Sequence, residues 1–94
     1  MAGINEAYAA YQKGDYKQAL KEYKKLAKQG NANAQLALGV MNEEGQGVPQ
    51  NIFKAEEWYL KAANQGNAVA QHIIGLMYLQ GQGVFPDGSS SIAL

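Results

Sequence analysis

The sequence predicts an all-α fold, an α-solenoid in which antiparallel helix pairs stack along the chain. Three observations predict it: an internal repeat, apolar residues at helical spacing within each repeat, and glycines where the helices should end. A single helix pair cannot bury its apolar stripe, so neighbouring pairs must stack. Small residues at Ala34, Gly39, Ala55 and Ala63 would let the helices approach closely.

The internal repeat has an offset of 36 residues and is clearest between residues 31–48 and 67–84. There NANAQLALGVMNEEGQGV aligns with NAVAQHIIGLMYLQGQGV, with 10 identities in 18 positions. We therefore expect one solenoid domain over residues 1–94. Its predicted parts are unit one (1–30), unit two (31–66) and a partial or truncated unit three (67–94).

Unit one is predicted to contain two short helices joined by a tight turn. The helices are expected over Asn5–Lys13 and Tyr16–Lys28, and Gly14-Asp15 forms the turn. Asp15 is suited to cap the second helix, because its carboxylate can accept a hydrogen bond from a free backbone amide in the first turn.

Unit two follows the same plan with a longer loop. Its helices are expected over Ala34–Glu44 and Ile52–Asn64, with Gly45 ending the first and Gln65-Gly66 ending the second. Leu38, Trp58 and Tyr59 are predicted to fill the space between helix pairs.

Unit three is predicted to begin with a helix like that of unit two. After Val84 the chain reads FPDGSSSIAL, a poor helix sequence, so its second helix is at most a stub. This favours a fragment of a longer solenoid over an atypical cap. In either case we expect the apolar side of Ile73, Ile74 and Met77 to be partly uncovered.

The composition includes few side chains suited to catalysis or to cofactor binding. Eight lysines balance eight acidic residues, and no arginine is present, so nucleic acid is not an expected partner. The chain has no cysteine and one histidine, so no metal site and no cofactor are expected. No apolar run is long enough for membrane insertion. The start, MAGINEAY, lacks the basic and apolar regions of a signal peptide, so the chain is cytoplasmic as written, or periplasmic or secreted if a signal peptide was removed, and the compartment stays open.

The residues that could carry chemistry are better explained by structure. His72 has no nucleophile in a supporting motif, since Ser89, Ser90 and Ser91 lie in the atypical tail. The GQGV segments lack the strand and lysine of a phosphate-binding loop. Adjacent glutamates on a helix point in different directions. The lysines of unit one could steer an acidic partner, but a solvated face is favoured. We therefore predict no enzyme activity.

The residues of unit two resemble the Sel-1-like repeat, a relative of the tetratricopeptide repeat. That family's pattern is approximately A-x3-LG-x2-Y-x2-G-x-GV-x2-D-x2-KA-x2-WY-x-KAA-x-QG. Two positions depart from it: Asn42 replaces the usual tyrosine and Asn51 the usual aspartate, whereas unit three has Tyr78 and Asp87 there. The matching residues of unit two are Ala34, Leu38, Gly39, Gly45, Gly47, Val48, Lys54, Ala55, Trp58, Tyr59, Lys61, Ala62, Ala63, Gln65 and Gly66.

The resemblance implies a right-handed superhelix that acts as a protein–protein interaction scaffold without catalysis. Similar proteins are adaptors and regulators, many of them bacterial. In such solenoids the first helices of successive units line a concave surface that binds a peptide or protein partner. Each unit here offers three residues at spacing i, i+4, i+7 on that helix. The residues expected on the concave face are Ile4, Tyr8, Tyr11, Leu36, Val40, Glu43, His72, Leu76 and Leu79.

Two alternatives stay open at this point. The first is that some of these nine residues belong to the core, particularly Tyr11 and Leu79 near helix ends. If the nine do line a groove, four polar residues would form its rim: Glu43, Gln71, His72 and Gln80. The second alternative concerns function: the chain could be an architectural element that forms homo-oligomers through its uncovered C-terminal end.

Overall fold

The computed structural model describes residues 3–80, which form five α-helices and no strand. The predicted all-α fold is therefore confirmed, and it is consistent with a tetratricopeptide-like solenoid. The second helices of units one and two have the predicted bounds, whereas the first helices each begin earlier than predicted. The helices are α1 (Ile4–Gln12), α2 (Tyr16–Lys28), α3 (Ala32–Glu44), α4 (Ile52–Asn64) and α5 (Ala68–Gln80).

Short polar side chains cap four of these helices. Asp15 accepts a hydrogen bond from the Gln18 amide at 3.2 Å, as the sequence predicts. Asn31, Asn51 and Asn67 do the same for α3, α4 and α5. Because Asn31 satisfies a free amide of the first turn, α3 begins at Ala32, two residues before the predicted start.

The seam between successive units has nearly the same geometry twice. Gly30 and Gly66 adopt φ angles of 92° and 89°, in the left-handed region that favours glycine. The amide that follows each glycine then bonds back into the preceding helix. Asn31 N donates to Leu26 O at 3.0 Å, and the equivalent bond in the next seam is 3.1 Å long.

Each helix packs chiefly against the next helix in the chain, α1 on α2, α2 on α3, α3 on α4 and α4 on α5. The interior consists of two clusters of buried apolar residues. The first cluster lies between α1, α2 and α3, and the second between α4 and α5. The first is Ala7, Ala19, Tyr23, Ala27, Ala34, Leu38 and Met41, and the second is Ala55, Tyr59, Ile74 and Met77.

The second cluster corrects one expectation from the sequence. Ile74 and Met77 are only 8% and 3% exposed, so the prediction that this side of α5 is partly uncovered was wrong for these two residues. α4 covers them, because its residues Ala55 and Tyr59 belong to the same buried cluster. Ile73 is half-buried against the same cluster.

Gly39 and Tyr59 show why unit two needs small residues. The ring of Tyr59 lies fully buried against Gly39, where an added Cβ would overlap its Cδ1 and Cε1 atoms. The predicted close approach of these helices is confirmed here. Leu38 is fully buried as expected, and the half-buried Trp58 packs against the first core cluster; Ala63 is half-buried.

The expected stub of a second helix in unit three, with the segment FPDGSSSIAL, lies outside the described residues. None of the helices within residues 3–80 combines the length and apolarity needed to cross a lipid bilayer.

Candidate partner-binding groove

α1 and α3, the first helices of units one and two, border an open cavity of about 390 Å³. We call it the α1–α3 groove. Most of its lining side chains are apolar or aromatic, and α2 contributes one residue to it. The lining residues are Ile4, Asn5, Tyr8, Tyr11, Tyr23, Asn33, Leu36, Ala37 and Val40.

Five of the nine residues expected on the concave face line this groove. Three come from α1, where spacing of i, i+4, i+7 places them on one stripe. Two come from α3, one turn apart. They are Ile4, Tyr8, Tyr11, Leu36 and Val40.

Tyr8 and Tyr11 have different surroundings. Tyr8 is 54% exposed, so its ring offers apolar surface to a partner. Tyr11 is half-buried and packs against the first core cluster, with its ring 5.4 Å from that of Tyr16. Its hydroxyl also donates to Gln46 Oε1 at 2.9 Å. Tyr11 therefore belongs both to the groove and to the packing of unit one.

Leu36 and Val40 likewise serve two surfaces. Both are half-buried and pack against the second core cluster while lining the groove. They therefore hold α3 in place and form one wall of the groove at the same time.

The other four expected residues do not line the α1–α3 groove. Glu43 accepts a 2.6 Å hydrogen bond from the Tyr59 hydroxyl, so this carboxylate is engaged between α3 and α4. His72, Leu76 and Leu79 are exposed on α5. Leu79 is 64% exposed, so the alternative that it belongs to the core was wrong.

Gln71, one residue of the predicted polar rim, forms a hydrogen bond between two helices. Gln71 donates to the carbonyl of Ala63 at 3.1 Å, so its amide bridges α5 and α4. Its repeat equivalent Gln35 bonds to Ala27 O at 3.2 Å in the same way. The identical glutamines at offset 36 thus have a structural role that the sequence comparison did not reveal.

Four groove residues were missed at the sequence level: Asn5, Tyr23, Asn33 and Ala37. Continuing the predicted stripe of α3 by one turn reaches Asn33, and Ala37 lies at i+4 from Asn33, so helical spacing would have found both. The spacing along α1 and α3 could not indicate Tyr23, because this buried residue belongs to α2.

The groove is electrically neutral. No Asp, Glu, Lys or His lines it. Burial raises the pKa of Tyr23, and the nearby Tyr11 and Tyr8 raise it further, so this phenol is protonated at neutral pH. Within residues 3–80 no three metal-ligating side chains cluster together. The arrangement suits contact with apolar side chains and hydrogen bonds to neutral groups.

A family model described as Sel1 repeat matches the chain three times, at residues 7–31, 32–67 and 68–94. The chain is also similar to a solved structure titled "Crystal structure of Sel1 repeat protein from Oxalobacter formigenes". The two share 37% sequence identity and a TM-score of 0.81, and the match covers 97% of this chain. The chain spans 37% of the length of that protein. No curated protein matches it.

Proposed function

The chain belongs to the Sel1 repeat family, and from that premise we propose that it is a scaffold that binds a segment of a partner protein in the α1–α3 groove. Sel1 repeats generally mediate protein–protein interactions. One observation carries the finer proposal: five residues from two successive units, expected on the concave face from the family resemblance and their helical spacing, line one open apolar cavity. The α1–α3 groove is thus formed jointly by units one and two.

The chemistry of the groove favours a segment with apolar anchors. Covering exposed apolar surface stabilises a complex by roughly 25 cal/mol per Å², and the half-exposed ring of Tyr8 offers such surface. A charged anchor would lose hydration there without gaining a partner, because no ionised side chain lines the groove.

Two asparagines offer polar contacts at the groove. Asn33 is exposed, and its Oδ1 accepts a 3.1 Å hydrogen bond from Asn67 Nδ2. Within residues 3–80 the side-chain nitrogen of Asn33 forms no hydrogen bond, so it can donate one to a peptide carbonyl. Asn5 is exposed on α1 and offers the same groups. An extended or helical peptide could use both.

The experiment uses two exposed groove residues, so that folding is little affected. The variant Tyr8→Glu/Asn33→Glu places two charges in the groove, and the control Phe53→Glu/Asn64→Glu places two charges at exposed residues outside it. Circular dichroism first establishes equal helicity. Partners are captured from a lysate of the source organism, and the captured protein is then purified and titrated against all three forms.

We expect the groove variant to weaken binding by about tenfold or more and the control to change it less than about twofold. Hydrogen exchange in the complex should slow in α1 and α3. Equal affinity of all three forms, or protection elsewhere, would contradict the groove as the binding site.

A second candidate function is supported by a different observation. Val69, Leu76 and Leu79 on α5 are 57%, 42% and 64% exposed, which is apolar surface that a second copy could cover. In this case the chain is an architectural element that forms homo-oligomers. Sedimentation would then show a mass that rises with concentration in the wild type and stays monomeric in Leu76→Glu/Leu79→Glu. A monomer at all concentrations excludes this function.

A further inference from the structure

A second cavity, of about 520 Å³, lies between α2 and α4 and shares no residue with the α1–α3 groove. We call it the lysine pocket. α3 and the loop before α4 complete its walls. Its lining residues are Leu20, Lys24, Lys28, Leu38, Asn42, Val48, Pro49, Asn51, Lys54 and Trp58.

The lysine pocket carries a positive charge that nothing in its walls balances. Lys24 and Lys28 lie one turn apart on exposed positions of α2, and Lys54 faces the same cavity from the first turn of α4. No acidic side chain lines the cavity. Three ammonium groups around one concave surface attract an anionic ligand.

Half of the residues that line the pocket are apolar. Leu38 is fully buried, while Leu20, Val48 and Trp58 are half-buried and line the cavity. The ammonium of Lys61 lies 5.0 Å from the centre of the Trp58 ring, which adds positive charge at this edge. A ligand that fits must therefore combine negative charge with an apolar group.

Two residues of this pocket are positions at which the sequence of unit two differs from that of unit three. At offset 36, Asn42 corresponds to Tyr78 and Asn51 to Asp87. Both asparagines line the pocket. Asn42 leaves more room than a tyrosine would, and Asn51 is neutral where an aspartate would add a carboxylate. Asn51 still caps α4, its Oδ1 lying 3.0 Å from the Lys54 amide. Aspartate would cap equally well, so the difference between the two residues here is the charge.

We propose that the lysine pocket binds a short acidic segment of a partner protein in which carboxylates flank one apolar side chain. The apolar side chain enters between Leu20 and Trp58, and the carboxylates meet the lysines. Peptide is favoured over nucleic acid because the chain has no arginine and a formal net charge of zero. This binding site is independent of the α1–α3 groove.

Trp58 is the sole tryptophan of the chain and lines the pocket, so its fluorescence reports on this site. The probe is a five-residue peptide with a central phenylalanine and four flanking aspartates and glutamates. The matched peptide has asparagines and glutamines instead. We expect the acidic peptide to change Trp58 emission saturably, and the neutral peptide to bind about tenfold more weakly or not at all.

Variants with matched controls locate the binding. Lys24→Gln/Lys28→Gln should weaken binding about tenfold, whereas Lys17→Gln/Lys21→Gln, the same change at the same spacing outside the pocket, should change it less than about twofold. Asn51→Asp keeps the helix cap and adds one carboxylate, and we expect about fivefold weaker binding from it.

Three results would overturn the proposal. They are no emission change with the acidic peptide at millimolar concentration, equal losses in the two lysine variants, or unchanged affinity in Asn51→Asp. A single-stranded oligonucleotide that changes Trp58 emission more strongly than the peptide would also overturn it, in favour of nucleic acid. Since none of these variants touches the α1–α3 groove, failure here leaves the groove proposal standing.

Discussion

The hydroxyl of Tyr59 donates a 2.6 Å hydrogen bond to Glu43 Oε1, which joins α4 to α3 within one unit. The same ring packs against Gly39 one turn earlier on α3. Glu43 is therefore part of the contact between the two helices of unit two. The α1–α3 groove lies against the preceding turns of α3, which carry Leu36 and Val40.

Gly39→Ala should destabilise the chain, because the new methyl group overlaps the buried Tyr59 ring. Overpacking of this kind costs about 1–3 kcal/mol. The repeat provides the control: Gly75 occupies the equivalent position and has nothing within 4 Å of an added Cβ. Gly75→Ala should therefore be neutral or stabilise by up to about 1 kcal/mol. Thermal unfolding followed by circular dichroism measures both, and equal shifts would contradict the packing argument.

Stability should fall at alkaline pH because of Tyr59. Burial raises the pKa of this phenol above its ordinary value of 10.0, and the hydrogen bond to Glu43 and nearby carboxylate charges raise it further. Above pH 10 the unfolded chain therefore releases this proton before the folded chain does, and the free energy of unfolding decreases. Below that pH the contribution is fully present. Tyr23 acts in the same direction.

The check is a series of urea unfolding curves between pH 8 and 11, the range in which tyrosine ionises. The variant Tyr59→Phe has no proton to lose at this position, so its stability should decline less steeply with pH than that of the wild type. Identical slopes for the two proteins would refute the role of Tyr59.

Gln35→Leu should cost more stability than the same change at its repeat equivalent. Gln35 is 6% exposed; its amide donates to Ala27 O, and its Oε1 accepts from Gln65 at 2.7 Å. Loss of these two bonds should cost about 1–3 kcal/mol, since each contributes about 0.5–1.5 kcal/mol and the bond to Ala27 O is buried. Gln71 is exposed, so water can replace its bond to Ala63, and Gln71→Leu should cost less than about 0.5 kcal/mol. Chemical unfolding decides between them.

Asn51→Ala should lower stability by about 1 kcal/mol, since it removes the cap of α4. Asn51→Asp should leave stability unchanged or raise it slightly, because a carboxylate is favourable at a helix N-terminus. Thermal melts of both variants test this. If the aspartate variant also lost about 1 kcal/mol, its effect on the lysine pocket could no longer be ascribed to charge alone.

Local signals in the sequence were sufficient for much of the fold. α2 and α4 have the predicted bounds because caps and terminal glycines depend on a few adjacent residues. The contact of Gly39 with Tyr59 was also foreseeable, since close packing requires a small residue. By contrast, the covering of Ile74 by α4 depends on how two helices cross, which repeat spacing alone does not indicate.

The site was predictable to a similar extent. Spacing along a helix identified the stripe that Tyr8 and Leu36 belong to. It could not identify side chains that form hydrogen bonds with a neighbouring helix, such as those of Glu43 and Gln71. The lysine pocket was beyond prediction for a related reason: it needs α2, α3, α4 and a loop at once. The unusual residues Asn42 and Asn51 were visible in the sequence, but their shared cavity was not.

The matching seams at Gly30 and Gly66 have an evolutionary consequence. Each seam places the next helix with the same left-handed glycine and the same backbone hydrogen bond, and each helix packs chiefly on its chain neighbours. A gene duplication that copies 36 codons would therefore insert a unit whose two junctions already fit. Such a chain can lengthen without compensating mutations elsewhere, and the new copy is then free to diverge at residues such as Asn42 and Asn51.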